Sequence, residues 1–343
     1  FSGSCSAFFE NLLFNQSAKY SAFINNDKEF IISVSPELFF HQKSRNIVSH
    51  PMKGTTRRGQ NQGKDRIAET DLKSGEKNRA ENVMIVDLIR NDFGKICRYG
   101  SIEVPELFTI ERYESLFQMV SQVRGKLRKK IKHFDIIQNI FPCGSVTGAP
   151  KIRTMEIINE IENNKRGIYT GSIGLIKPEE VKMSVAIRTI TINKQTGDGI
   201  MGLGSGIVWD SNPQSEYEEV LLKSKFLTEP LDYFEIFETM RYGNGEIKFI
   251  DDHIERMKTT ADYFLFKFNE KKIRKQIEKS IEELDKQKIK KIRLSLAKWG
   301  EIRVDVSDIG TPLEEISVII SENKIISTDK FRYFKTTNRI LYD

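Results

Sequence analysis

The sequence predicts a mixed helix-and-sheet protein with antiparallel strands, arranged as two domains. Three observations carry that reading. The strand-like runs IYTGSIGLI, MSVAIRTITI and GIMGLGSGIVW follow one another across short turns at Lys177 to Glu180 and Asn193 to Gly199, and connections that short join antiparallel strands. Ala80, Val83, Met84, Val86 and Leu88 make an almost continuous apolar helical surface between Ser74 and Asp92, the mark of a helix buried on most sides. Around Thr228 to Leu231 a proline after a charged segment marks a boundary, beyond which the order of elements restarts. A chain of 343 residues can bury a core in each of two ordinary domains.

Composition excludes several classes. An apolar fraction of 38% beside 30% charged residues suits a globular protein, and no run of about 18 apolar residues offers a membrane span. Phe1 stands first with no signal-peptide pattern after it, so a cytoplasmic protein whose chain begins within a longer one is expected. Cys5, Cys97 and Cys143 are far apart, as suits reduced thiols rather than a disulfide frame. His41, His50, His133 and His253 lack metal-ligand spacing, which argues against zinc. The net charge of +6 raises nucleic acid as a partner, but the basic segment Lys271 to Arg293 is interrupted by Glu278, Glu282, Glu283 and Asp285. It reads as a solvated helix face, so neither nucleic acid nor membrane is expected as a partner.

In order along the chain, YSAFI and EFIISV flank Asn25, Asn26 and Asp27 and predict a hairpin. Glu37 follows within SPELFF, either on the exposed side of a strand end, which the sequence favours, or as a desolvated acid. HPMKGTTRRG then holds Lys53 between a proline and a glycine. It is either a solvated basic loop or the seat of a nucleophilic amine whose pKa Arg57, Arg58 and desolvation would lower. In the next helix Asp87 and Arg90 can pair across one turn, and Lys77 is the local partner for Glu81. FPCGSVTGAPK reads as a glycine-rich loop leading into a helix with Pro150 in its first turn, either an ordinary capped start or an anion site. Ile152, Met155, Ile158 and Ile161 are expected to form that helix's buried face. Arg188 in MSVAIRTITI lies on a wet face or clamps an anion. Gly202, Gly204 and Gly206 leave one face of a strand bare, open to a ligand or another backbone. On the helix from Ser215 to Leu227, Glu216, Glu219 and Lys223 share a face, as a Mg²⁺ site or as surface ion pairs. The second domain reads as strand (YFEIFETMR), turn, strand, helix (Asp252 to Phe264), helix (Glu270 to Asp285) and the strands KKIRLSLA and ISVII.

Taken together, PMKGT, EKNRAENVMIVDLIRND, FPCGSVTGAPKIRTMEII, RGIYTGSIG, VAIRT, GSGIV and EYEEVLLKSKFL resemble, in order and spacing, the chorismate-binding enzymes. The likeness covers residues 1–228 and is nearest to the members that form 4-amino-4-deoxychorismate from chorismate and ammonia, in the making of 4-aminobenzoate and folate. It implies an α+β fold with two large antiparallel sheets and flanking helices around a Mg²⁺ and chorismate site, with the N-terminal part of that domain missing. By this resemblance Lys53 attacks the chorismate ring at C2 and Glu37 protonates the departing 4-hydroxyl. Glu81, Glu216 and Glu219 hold the metal. Thr55, Thr147, Gly148, Tyr169, Arg188, Gly204, Gly206 and Lys223 bind substrate. Relatives that make anthranilate or isochorismate commonly carry a small residue where this chain has Lys53, and many have a histidine where it has Gln118. No Cys-His glutaminase constellation is visible, so a separate glutamine amidotransferase subunit is the expected ammonia source.

FETMR, HIERM and FKTTNR resemble the first half of fold-type IV pyridoxal-phosphate enzymes, and among them those that release pyruvate from 4-amino-4-deoxychorismate. Residues 232–343 are then a truncated α/β domain in which Lys335 forms the Schiff base and Arg256 contacts the cofactor phosphate. Pyridoxal 5'-phosphate is expected only with a complete second domain, and the partial one is expected to be inactive.

Overall fold

The computed structural model describes residues 2–309, 318 and 328–339. It divides into two compact units, Phe1–Arg58 with Arg66–Leu231, and Gly59–Asp65 with Asp232–Asp343. As far as Thr228 the elements are α1 (Cys5–Asn15), β1 (Tyr20–Asn25), β2 (Glu29–Ser35), β3 (Leu38–Lys43), β4 (Asn46–His50), β5 (Met52–Arg57), α2 (Gln62–Ser74), α3 (Glu76–Gly94), β6 (Glu103–Arg112), β7 (Leu116–Lys126), α4 (His133–Ile140), α5 (Lys151–Ile161), β8 (Ser172–Lys177), β9 (Glu180–Val185), β10 (Thr189–Asn193), β11 (Gly199–Met201) and α6 (Pro213–Thr228). No described helix is long and apolar enough to cross a membrane.

The first unit holds a seven-stranded sheet in the order β5-β7-β4-β3-β9-β8, with β6 also on β7, and a four-stranded sheet β1-β2-β10-β11. Pairing is antiparallel in both. The β1–β2 hairpin forms where expected. Asn26 Oδ1 accepts the backbone N–H groups of Lys28 and Glu29 at 2.9 and 2.8 Å, which gives the turn its geometry. Helix α3 packs Ile85, Val86, Ile89 and Phe93 against Phe40, Ile47 and Val123 of the larger sheet. Only one side of it is covered, because Val83 and Met84 remain 40% and 39% exposed, which corrects the expectation of burial on most sides.

The chain crosses between the two sheets twice, and the crossings adjoin. The step from β2 to β3 runs through Pro36 and Glu37, and the step from β9 to β10 through Ala186 to Arg188. Val185 N–H donates to Glu37 O at 3.1 Å, Val34 N–H to Arg188 O at 3.1 Å, and Ser35 Oγ to Val185 O at 2.6 Å. MSVAIRTITI is therefore two strands in two sheets, broken where Arg188 takes φ +49°. That left-handed backbone costs about 1 kcal/mol for a residue with a side chain. The third expected strand shortens to β11, and Gly202 to Gly206 lie outside the ladder.

The second unit contains β12 (Ile236–Gly243), β13 (Glu246–Ile247), α7 (Ile250–Phe264), α8 (Glu270–Ile281), β14 (Lys290–Leu296) and β15 (Ile302–Asp308). The strands form one antiparallel sheet in the order β13-β12-β14-β15. Helix α8 buries Ile273 and Ile277, and its charged residues make the solvated face that its sequence predicts. Strand β15 was not foreseen, and the expected strand ISVII lies, but for Val318, outside the described residues.

Candidate active site

A cavity of about 630 Å³ opens at the seam between the two sheets of the first unit. Glu37 and Arg188 reach it from the two crossings, Lys53 and Thr55 from β5, Glu81 from α3, and Glu216, Glu219 and Lys223 from α6. Thr147, Tyr169, Gly204 and Gly206 also line it. Of the residues proposed from the sequence for this site, Gly148 alone is not among the lining residues. Its bare Cα packs on Thr154, whose Cγ2 would lie 2.9 Å from a Cβ there.

Lys53 is placed by a strand, not by a loop. Met52 pairs with Val120 and Thr55 with Gln118, so β5 carries one more residue than β7 across that interval. Such a β-bulge re-aims the side chain beside it. Gly54 takes φ +92°, and a Cβ there would press on Asn78 at 3.2 Å, so glycine is required on both counts. The arginines do not support the lysine as expected. Arg57 is exposed, while Arg58 donates to Tyr113 O at 3.0 Å and lies 5.1 Å from the Phe117 ring centroid. Neither lines the cavity.

Glu37 is 3% exposed, contrary to the exposed strand end that its sequence favours. Leu38, Phe39 and Phe40 are buried beside it at the seam, and the carboxyl is shut in with them. Burial pushes its pKa up to about 7, against the opposing pull of Ser145, Lys53, the Met52 backbone and Lys223. At neutral pH a large fraction therefore carries a proton, as a general acid requires.

Arg188 is 4% exposed. One guanidinium nitrogen donates to Gln118 Oε1 at 3.4 Å, the group lies 5.5 Å from the Tyr113 ring centroid, and Nη1 is buried with no hydrogen-bond partner. Burial pulls its pKa down to about 10, which still leaves a cation at neutral pH. A desolvated cation with an unused donor, on a residue that lines a cavity, is suited to receive an anion. The glycine-bare segment is filled by protein groups. A Cβ at Gly202 would meet the Tyr169 ring, one at Gly204 the Tyr169 hydroxyl, and one at Gly206 Lys53 Nζ.

Helix α5 corrects another expectation. Ile152 and Ile161 are 76% and 70% exposed, and the helix has no buried residue. Its apolar positions Ile157, Ile158 and Ile161 instead help to line the cavity.

The three carboxylates proposed for metal converge without forming a closed cluster. Lys77 Nζ stands 4.0 Å from Glu81 and 3.9 Å from Glu216, and Lys223 pairs with Glu219 at 2.6 Å. Among the described residues no group of three metal-capable side chains is drawn together, because these lysines occupy the space between. Burial raises the Glu81 pKa, Lys53 and Lys77 lower it, and Glu216 and Glu219 raise it further. Carboxylates that repel one another across a cavity are the hard oxygen donors that Mg²⁺ takes, so the donor set fits that ion.

In the second unit, Glu238 of β12 is 1% exposed and gathers three basic groups. Arg256 binds it through Nε at 2.7 Å and through a second nitrogen, His253 Nδ1 at 2.8 Å, and Lys335 Nζ at 3.6 Å. Lys335 and Arg256 thus share one cluster, as suits a cofactor with an aldehyde and a phosphate. Asp87 and Arg90 pair at 2.7 Å on the exposed side of α3, the structural role the sequence offered them. Two residues escaped the sequence reading. Ser145 donates to Glu37 from a distant part of the chain at 2.5 Å, and no local pattern announces that contact. Glu238 lies within FETMR, where its position among apolar strand residues was the available signal.

Comparison with known proteins adds the following. The family described as chorismate binding enzyme matches residues 1–229, and the family described as amino-transferase class IV matches residues 235–343. Anthranilate synthase component 1 of Aquifex aeolicus is 39% identical over 236 residues, covering 68% of this chain and 47% of that protein. Aminodeoxychorismate synthase component 1 of Bacillus subtilis is 41% identical over 217 residues, covering 63% of this chain and 46% of that protein. The crystal structure of anthranilate synthase component I from Streptococcus pneumoniae TIGR4 matches with a TM-score of 0.59 at 34% identity, over 66% of this chain and 49% of that one. The chain spans about half the length of the curated relatives it matches.

Proposed function

We propose, given that the chain belongs to the chorismate binding enzyme family, that its first unit acts as an aminodeoxychorismate synthase, converting chorismate and ammonia to 4-amino-4-deoxychorismate. The observation that carries this reading is the joint presence, on one cavity, of the bulge-mounted Lys53 and the buried Glu37, whose pKa is raised to about 7. Chorismate is a dianion with a poor hydroxyl leaving group, so its enzyme must hold carboxylates, protonate an oxygen and supply a nucleophile.

Arg188 receives one carboxylate, with Thr55, Thr147, Tyr169, Lys223 and the backbone at Gly204 and Gly206 completing the grip. Lys53 Nζ forms a bond to ring C2 as the two conjugated ring double bonds shift, C1=C2 to C1=C6 and C5=C6 to C4=C5, and the C4–O bond breaks. The Glu37 proton leaves with that oxygen as water. Ammonia then bonds to C4 and the C2–N bond to Lys53 breaks, while the Glu37 carboxylate accepts the proton that the incoming nitrogen sheds. Held by Glu81, Glu216 and Glu219, Mg²⁺ would neutralise the ring carboxylate. The "component 1" in the relatives' names supports a separate glutamine amidotransferase subunit as the ammonia source.

Incubation with chorismate, Mg²⁺ and ammonium, followed by chromatographic identification of the product, tests the reaction. Lys53→Ala is expected to abolish product formation, and near-normal turnover by that variant would remove the covalent role. A second reading, anthranilate synthesis, is favoured by relatives of that name at similar identity. An anthranilate product would establish it instead. In the second unit, Lys335 is proposed as the amine and Arg256 as a phosphate contact for pyridoxal phosphate, within a complete domain that would release pyruvate to give 4-aminobenzoate.

A further inference from the structure

We propose that Ser145 is a positioning residue for Glu37, its hydroxyl holding the Oε1 edge of the carboxyl and stabilising the ionised form. The inference deepens the reading above and rests on Glu37 being the acid. Ser145 lies in the short 3-10 turn Gly144–Val146 that precedes α5, and its Oγ donates to Glu37 Oε1 at 2.5 Å. That turn is fixed from behind. A Cβ at Gly144 would stand 2.7 Å from Leu88 Cδ2, so the backbone can sit this close to α3 only because residue 144 is glycine.

The hydroxyl is also oriented. Cys143 Sγ lies 3.2 Å from Ser145 Oγ, and burial pushes the Cys143 thiol up to about 12. It therefore remains a neutral S–H at working pH, able to donate to Ser145 while Ser145 donates to Glu37. The groups acting on the Glu37 carboxyl are Lys53 and the Met52 backbone from β5, Lys223 from α6, and Ser145 and Cys143 from the turn. After burial itself, Ser145 has the largest effect, and it opposes burial. Hydrogen bonds to a carboxylate favour its charged form. Removing this one should let Glu37 keep its proton to higher pH.

The test is the pH dependence of the Glu37 carboxyl infrared band, assigned by its loss in Glu37→Gln and recorded without chorismate. Ser145→Ala should raise the midpoint by about one pH unit, and Ser145→Thr, which keeps the hydroxyl, should retain the wild-type midpoint. An alanine midpoint at or below that of the wild type, or a threonine midpoint shifted as far as alanine's, overturns the proposal. The alkaline limb of chorismate turnover should move upward with the infrared midpoint. An infrared shift of the expected kind in a protein that consumes no chorismate would refute the reaction proposed above while upholding the Ser145–Glu37 contact.

Discussion

Glu37 and Glu238 are both shut away from water, at 3% and 1% exposure, yet the structure leaves them in opposite states. Around Glu37 burial prevails and the carboxyl rises to about 7. At Glu238 burial pushes the same way, but hydrogen bonds from Arg256 and His253 and the charge of Lys335 more than offset it and hold the carboxyl below its usual range. The difference lies in the partners. Glu37 has a neutral hydroxyl and a backbone amide in contact, with its lysines acting only through their charge. Glu238 has a guanidinium bound through two nitrogens, the pairing best matched to a carboxylate. One buried acid thus holds a proton towards neutral pH, and the other is held ionised among cations.

Three experiments would break or sharpen that contrast. The largest effect is expected from Glu37→Gln, which should lower chorismate turnover by about 10³-fold, the scale of a lost general acid, with little change in folding. Wild-type turnover in that variant would place the acid elsewhere. Next comes Glu238→Gln, which leaves Arg256, His253 and Lys335 without their counter-charge and should destabilise the second unit by about 3 kcal/mol in urea unfolding. A loss near zero would mean that the cluster is not a structural anchor.

The smallest effect lies in pH. Glu37 holds its proton to about 7 when folded, against an ordinary value of 4.5. Between those values the native state binds more protons than the unfolded state, so stability falls as pH rises through that window. Glu37→Gln should flatten this slope, a change of about 3 kcal/mol. Glu238 has the opposite sign. Its lowered folded value gives stability that is present above the unfolded value and lost as pH falls through the folded one, so Glu238→Gln should affect the acid side only. Unfolding curves for both variants from roughly pH 2 to pH 8, the span that takes in both windows, would reveal equal slopes if the assignment were wrong.

What the sequence made legible was local. Strand-like runs and an Asn-rich turn announce the β1–β2 hairpin, and the acids interspersed among the lysines mark the solvated face of α8. The seam was not legible, because it depends on β2 pairing with β10 and β3 pairing with β9, contacts between segments far apart in the chain. Continuous β-forming residues in MSVAIRTITI conceal a break that only the Arg188 backbone reveals. The same non-local origin hides the burial of Glu37 and its contact with Ser145. Helical spacing on α5 was read correctly as periodic and wrongly as core, since periodicity identifies an apolar face and not what lies opposite it. Nearly all the residues of the proposed site could be named in advance through family likeness. Their shared position at a crossing between two sheets could not.

The bare segment at Gly202, Gly204 and Gly206 divides the cavity into a mould and a palette. On the mould side the wall is main chain, shaped to admit the Tyr169 ring and the tip of Lys53, and a substituent there would displace those groups before it could reach a substrate. Chemical variety is left to the facing residues, such as Thr55, Gln118, Thr147 and Arg188. Attempts to change which ligand this cavity accepts should therefore vary those positions and leave the glycines untouched.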